Sequence, residues 1–426
     1  RAAGGGGGRL WGGGAHRGGG APGHLRVGPP TLAGARGRAS GVASPPPSEE
    51  VGDRIWPEHY PPGVPAEIDV DEFASVREVF EQSCRAFATR PAFSCMGRMI
   101  TFADLDALSS TFGAWLQGIG CTRGTRVALM MPNILQYPVC IFGTLRAGCA
   151  VVNVNPLYTP RELEHQLVES GAEVIVVVEN FAQTLQQVVA RTKIRQTVVT
   201  SIGEMLAVKG RIVDLVLRRV QRAIPKWSLP GAIRFADAMK QGRKLSLARI
   251  PIGHDDLAFL QYTGGTTGVA KGAMLLHRNL VANMLQSRAW LRPLLDESRR
   301  EVILTPIPLN HIFSLTANCL VFMSIGGENV MITNPRDLTR FIKEMRRYRF
   351  TAMTGVNTLF NALLNHPSFA RVRVRHFHLP LGGGMAAPAA SAGRWPDVTG
   401  SPPRPPAGRT PARPAAPRTP LTHPAA

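Results

Sequence analysis

The chain has 426 residues, with 49 Lys and Arg against 29 Asp and Glu, a formal charge of +20. That length suits two or more domains or one large α/β domain with a big core, and no stretch reaches the roughly 18 uninterrupted apolar residues of a membrane span. The six cysteines (Cys84, Cys95, Cys121, Cys140, Cys149, Cys319) form no CxxC and no Cys/His cluster, which argues against a zinc site or a disulfide framework and for small buried hydrophobes in a reducing cytoplasm.

The charge is unevenly placed. The first fifty residues hold six Arg and two Glu, and residues 386–426 hold five Arg and one Asp. A basic surface favours anionic lipid, nucleotide or nucleic acid. The interleaved aromatics and basic stripes of a nucleic-acid module are absent, so no nucleic-acid partner is expected.

Residues 1–50 are a Gly/Pro/Arg-rich segment, with runs such as Gly4–Gly8 and Pro45-Pro46-Pro47. It has no apolar core of a secretory signal and too little apolar surface to fold. It reads as upstream DNA translated ahead of a true start near Val51. Residues 51–400 carry the patterned part of the chain. Residues 401–426 are Pro, Ala and Arg without helical or strand period, as a frameshift or truncation would leave. A Pro-rich docking tail is the weaker alternative.

Between the ends, strands and helices alternate. Val76, Val79, Phe80 and Phe87 lie at helical spacing within 75–88. Thr101 with Asp104 makes a capping box for a helix that Gly120 ends. Strands follow at Arg126–Met131, Ala150–Val154 and Glu173–Val178, separated by a helix over 134–147 and one capped by Thr159-Pro160-Arg161-Glu162 and closed by Gly171. Leu257–Leu260 reads as a buried strand. Further strands are expected at Val302–Thr305, Asn329–Thr333, Phe350–Thr354 and Phe377–Leu381, with helices at 277–290, 336–347 and 356–365. The alternation predicts an α/β fold of doubly wound parallel sheets packed with helices. Residues 209–226 stand apart as a basic amphipathic helix, suited to an anionic membrane surface or to a solvated protein face.

The chemistry concentrates in Tyr262-Thr263-Gly264-Gly265-Thr266-Thr267-Gly268-Val269-Ala270-Lys271-Gly272. Glycines free the backbone to approach a ligand. Successive N–H groups and hydroxyls wrap an anion, and Lys271 adds a mobile charge. The common P-loop needs Gly-Lys-Ser/Thr after its second glycine, and that is missing here. A Gly/Thr-rich surface turn is the bland alternative.

The eleven residues resemble the phosphate-binding signature of the adenylate-forming enzymes. Tyr137-Pro138, Asn153 to Leu163, Pro308-Leu309-Asn310-His311-Ile312-Phe313, Thr333 to Asp337 and Thr354 to Asn361 follow in order, and narrow the resemblance to the bacterial long-chain fatty acid–CoA ligases. It runs from about Asp53 to Gly384 and fades by Gly400. It implies the large N-terminal domain of that family. It also implies a two-step reaction: a fatty carboxylate attacks the α-phosphorus of ATP, and CoA thiol then displaces AMP.

On the resemblance, Thr263, Gly264, Gly265, Thr266, Thr267 and Gly268 cradle the β- and γ-phosphates, Lys271 neutralises them and Mg²⁺ bridges them, with Thr266 as its protein ligand. Lys271, Thr266 and His311 form the catalytic set. His311 and Phe313 face the acyl-adenylate, Gly355, Val356 and Asn357 line the acyl channel, and Gly382, Gly383, Gly384 and Met385 lie along the adenine. The implied partners are fatty acid, ATP and CoA, with a homodimer and peripheral contact at the inner face of the membrane through 209–226 as further expectations.

The departures matter. No Tyr-Gly-x-Thr-Glu segment follows, nor the later Asp and Arg, nor the small C-terminal domain with its lysine. The literal chain is therefore expected to bind ATP weakly and to turn over poorly or not at all. A non-catalytic fragment that binds acyl chains or lipid surface is the alternative function. Peptide mapping of the native protein is expected to recover nothing from residues 1–40; a single such peptide overturns the mis-assigned start.

Overall fold

The computed structural model describes residues 60–263, 270–295, 299–372 and 374–383, all within one compact unit, Trp56–Ala426. The two expected tails, 1–50 and 401–426, lie outside the described residues. In chain order the described strands are β1 (Pro91–Cys95), β2 (Arg98–Thr101), β3 (Arg126–Met130), β4 (Ala150–Asn153), β5 (Val174–Val178), β6 (Gln196–Thr200), β7 (Ile233–Arg234), β8 (Leu257–Thr263), β9 (Lys271–Leu276), β10 (Val302–Thr305), β11 (Glu328–Met331), β12 (Ala352–Gly355) and β13 (Leu379–Gly382).

They make two sheets. One runs β13-β12-β10-β11-β1-β2 and the other β7-β6-β5-β3-β4-β8-β9. Every pairing is parallel except two at the edges, β1 with β2 and β8 with β9. This is the doubly wound α/β architecture expected from the alternation. Successive strand residues point to opposite faces, and the cores obey this. Val127, Leu129, Val174 and Val176 join Phe93, Ile303 and Ala352 in a central core between the sheets. Ala128, Met130, Ile175 and Val177 face a second core on the outer side of the seven-stranded sheet. Leu304, Val330 and Met353 face a third, outside the other sheet. The β-branched run at 174–178 is buried throughout, as a strand covered on both faces must be.

The helices form where their caps lie. Thr101 and Thr159 both close capping boxes, with Asp104 and Glu162. Gly171 ends its helix at φ +60°, a conformation cheap only for glycine. The structure adds elements that the pattern did not predict. Two left-handed residues, Met96 and Gly97, turn β1 directly into β2. Strands β6, β7 and β9 are new, as is a wide π-helical segment at Ser314–Val321. The expected helix over 209–226 runs only Val208–Leu215, with a π turn to Val220. It stops because Arg222 takes φ +49° and Pro225 disfavours helix in the residue before it.

Asn133, just past β3, holds the two sheets in register. Its Nδ2 donates to the carbonyls of Thr305 (2.9 Å) and Ile307 (3.1 Å), and its Oδ1 accepts from Leu309 N–H (2.9 Å). The Asn133 carbonyl also accepts from Thr333 Oγ1 at 2.9 Å.

His277 begins the helix His277–Leu291 and is 1% exposed. Its Nδ1 accepts from Val76 N–H at 3.1 Å, and burial pushes its pKa down to about 4. An unfolded histidine titrates near 6.5. Between those values the unfolded chain holds a proton that the folded chain lacks, so stability falls as pH drops from about 6.5 toward 4. The full effect is on the order of 3 kcal/mol. Urea unfolding of wild type and His277→Asn across that window is expected to show a flatter pH dependence in the variant.

Candidate functional site

The residues singled out by motif gather at the carboxyl ends of the parallel strands, where open α/β sheets bind ligands. Three segments meet there: the neck of the β8–β9 hairpin, the turn after β10 that carries His311, and the ends of β12 and β13.

The hairpin neck differs from the expected loop. Strand β8 continues through Tyr262 and Thr263, and Thr263 pairs with Lys271 in antiparallel register. Lys271 thus opens β9, at the mouth of the Gly/Thr segment, and is exposed. Gly264, Gly265, Thr266, Thr267 and Gly268 lie outside the described residues. The Tyr262 ring crosses its strand partner Gly272, where a Cβ would come within 2.7 Å of Cζ. The Tyr262 hydroxyl meets Glu169, and burial raises its pKa above the ordinary tyrosine value. His165, on the same helix as Glu169, sets Nε2 3.4 Å from the Ala270 carbonyl. Helix Pro160–Ser170 therefore braces the neck from both sides.

A buried polar chain ties this neck to His311. The Tyr137 hydroxyl donates to Asn153 Oδ1 (3.1 Å), and Asn153 Nδ2 donates to Gln261 Oε1 (3.0 Å). Gln261 Nε2 donates to the Asn310 carbonyl (2.6 Å), and Asn310 Nδ2 reaches the Val154 carbonyl (3.3 Å). Buried amides need such partners. Gln261 belongs to none of the motifs, although a glutamine closing Leu257-Ala258-Phe259-Leu260-Gln261 is a signal: a polar group in a buried strand must be satisfied by something nearby.

His311 Nδ1 accepts from the Phe313 N–H at 3.2 Å, which places the proton of the neutral ring on Nε2. The residue keeps contact with solvent, yet desolvation lowers its pKa and favours the uncharged imidazole. Phe313 lies against Gly383, where a Cβ would stand 2.6 Å from ring Cε1. Gly383 N–H donates to the Gly355 carbonyl at 3.2 Å, and Gly355 pairs with Gly382 across β12 and β13. Val356, 40% exposed, leads into helix Asn357–Leu364. The structure thus brings His311, Phe313, Gly355, Gly382 and Gly383 together, with Val356 and Asn357 following directly. Gly384 and Met385 lie outside the described residues.

Among the described residues no group of three or more His, Cys, Asp or Glu could hold a metal ion. Thr266, expected to meet Mg²⁺, lies outside the described residues.

The description "AMP-binding enzyme" matches residues 80–405. This chain belongs to the AMP-binding enzyme family. Among curated members, a long-chain-fatty-acid–CoA ligase of Salmonella typhimurium is 51% identical over 349 residues, covering 82% of this chain and 62% of that protein. One from Haemophilus influenzae is 47% identical over 351 residues, with the same coverages. The chain therefore spans less than two thirds of the relatives' length. Solved structures of the fold include an anthranilate CoA ligase in complex with anthranoyl-AMP, at TM-score 0.67 and 20% identity, covering 78% of this chain and 60% of that one. The N-terminal domain of FACL13 from Mycobacterium tuberculosis superposes at TM-score 0.58 and 19% identity, covering 77% and 74%. These two show the fold alone.

Gly383→Val would drive a side chain into Phe313. The variant of this AMP-binding chain is expected to lose about 1–3 kcal/mol of stability in urea unfolding. An unchanged midpoint would mean that Phe313 does not rest on Gly383.

Proposed function

We propose that this AMP-binding chain forms the larger part of a long-chain fatty acid–CoA ligase, which joins a fatty carboxylate to AMP from ATP and passes the acyl group to CoA. The observation that carries the reading is the convergence of His311, Gly355 and Gly383 at the strand ends, linked through Gln261 to the neck that presents Lys271. The 51% identity to a protein of that name supports it.

The difficulty in the first step is two anions meeting, and positioning with opposing charge overcomes it. Thr263, Gly264, Gly265, Thr266, Thr267 and Gly268 offer backbone N–H groups and hydroxyls to the β- and γ-phosphates. Lys271, at the mouth, sets a cation beside them. The fatty carboxylate is itself the nucleophile, so no side chain need be one. His311 presents an Nε2–H donor without a charge, which suits an oxygen of the acyl phosphate as it forms. Gly382, Gly383, Gly384 and Met385 are assigned to the adenine, for which Gly382 and Gly383, lacking side chains, leave room. Gly355, Val356 and Asn357 line the way for the acyl chain.

Membrane contact belongs to the same proposal, and one observation favours it. On the helix from Val208 to Val220, Val208 is 77% exposed, Ile212 61%, Leu215 57% and Val220 74%. Arg211 and Arg219 flank them and are exposed. Apolar residues set among cations suit an anionic bilayer surface, from which a fatty acid would be delivered. No described helix is long and apolar enough to cross a membrane.

Lys271→Ala is expected to weaken binding of ATP to the 426-residue chain about tenfold or more, the cost of one charge-assisted contact. Calorimetric titration reads it. Equal affinity in wild type and variant, with acyl-chain binding intact in both, would favour a non-catalytic acyl-binding fragment instead.

A further inference from the structure

A pocket of about 420 Å³ opens at the turn between β1 and β2, lined by Gly97, Lys209, Arg347 and Tyr348. Three separate parts of the chain supply it: the hairpin turn, the first turn of the Val208–Leu215 helix, and the segment after helix Leu338–Met345. The point that a Cβ would occupy at Gly97 is 3.2 Å from Arg347 Nη1 and 3.6 Å from Lys209 Nζ. The two cations are thus close enough to share the oxygens of one phosphate. Gly97 serves twice: it takes φ +79° in the turn, and it keeps the space between the cations clear.

Lys209 is held in place. Its ammonium donates to the Met96 carbonyl, and its neighbour Gly210 crosses Gly203 backbone to backbone with no room for a side chain on either. Asp214, one turn on, accepts from Ser201 Oγ (2.6 Å) and Gly203 N–H (2.8 Å). The charges facing the pocket do not balance. Glu344 pairs with Arg347 at 2.8 Å, and among the described residues Lys209 meets a carbonyl and no carboxylate. Tyr348 is engaged with Ser94, which in turn donates to Glu328 Oε1 at 2.6 Å.

The pocket sits at the head of the exposed apolar stripe. Val208 precedes Lys209, and Ile212 and Leu215 follow Val208 at four and seven residues, on one helix face. Arg218, further along, is tied to the buried carboxylate of Glu179 and is committed to the fold.

We propose that the Lys209–Arg347 pocket receives the phosphate of an anionic phospholipid headgroup, fixing the orientation of the 208–220 helix on the bilayer. The proposal rests on the membrane reading given above and deepens it. Glu344 answers one of the two cations; a lipid phosphate supplies the counter-charge that the pair still lacks, while the adjacent stripe enters the acyl boundary.

The test is co-sedimentation of the full chain with phosphatidylcholine vesicles doped with phosphatidylglycerol. The double variant Lys209→Ala/Arg347→Ala is expected to bind about thirtyfold more weakly, and Arg211→Ala/Arg219→Ala no more than about fivefold. Lys209→Arg in the wild-type background keeps the binding. Equal losses in the two double variants would mean diffuse attraction and no site. Displacement of wild type from the vesicles by millimolar inorganic phosphate would mean a site for a free phosphate compound, and would also overturn the proposal. If Ile212→Asp/Leu215→Asp loses binding while the pocket variant does not, the pocket fails and the membrane reading stands. Retention of binding by Ile212→Asp/Leu215→Asp would remove the membrane reading itself.

Discussion

The Asn133 side chain, three residues beyond β3 of the seven-stranded sheet, gives its N–H groups to the carbonyls of Thr305, at the end of β10 in the other sheet, and of Ile307 just past it, and accepts a third bond from Leu309. Two parallel sheets packed through helices have no backbone bonds between them. Their relative height is set only by side-chain packing, which tolerates sliding, and by contacts of this kind, which do not. Asn133 is 1% exposed, so the alternative to these bonds is an unsatisfied amide in the interior, at about 1–3 kcal/mol. The turn it grips runs on to His311. The distance from the imidazole to the β8–β9 neck is thus inherited from a single asparagine and from the Gln261–Asn310 bond beyond it.

The candidate site gathered there holds few reactive groups. Its parts are a donor on a neutral histidine, a lysine at a hairpin mouth and glycines that let chain ends approach. The surroundings are placed by neighbours: Phe313 lies against Gly383, Tyr262 crosses Gly272, and His165 and Glu169 brace the neck. The geometry resides in the contacts.

Local rules made much of the fold legible. Capping boxes at Thr101 and Thr159, the left-handed stop at Gly171 and the buried run at 174–178 depend on residues near one another, and each stands in the structure. The elements that escaped depend on partners far away. Strand β9, Lys271-Gly272-Ala273-Met274-Leu275-Leu276, has no β-branched residue and is a strand because β8 pairs with it. The β1–β2 hairpin turns on Met96 in a left-handed conformation that its residue type does not advertise. The helix after Val208 was visible by its period and Pro225 marked where it could not continue, but the positive φ of Arg222 is not advertised by its residue type. For the site, motif residues were legible as a set, and the amides of Asn133, Asn153 and Gln261 that arrange them were not. Their partners are set by topology rather than by spacing.

The pairing of Thr263 with Lys271 carries one more consequence. Strand side chains alternate between faces with a period of two, and the β8–β9 ladder fixes which face each residue of β9 takes. A slip of that ladder by one residue would leave composition and charge untouched. It would nevertheless turn Lys271 to the opposite face of the sheet and invert Met274 and Leu275 with it. The side on which the lysine emerges is therefore decided by its apolar strand-mates, which gain or lose their packing in the same step.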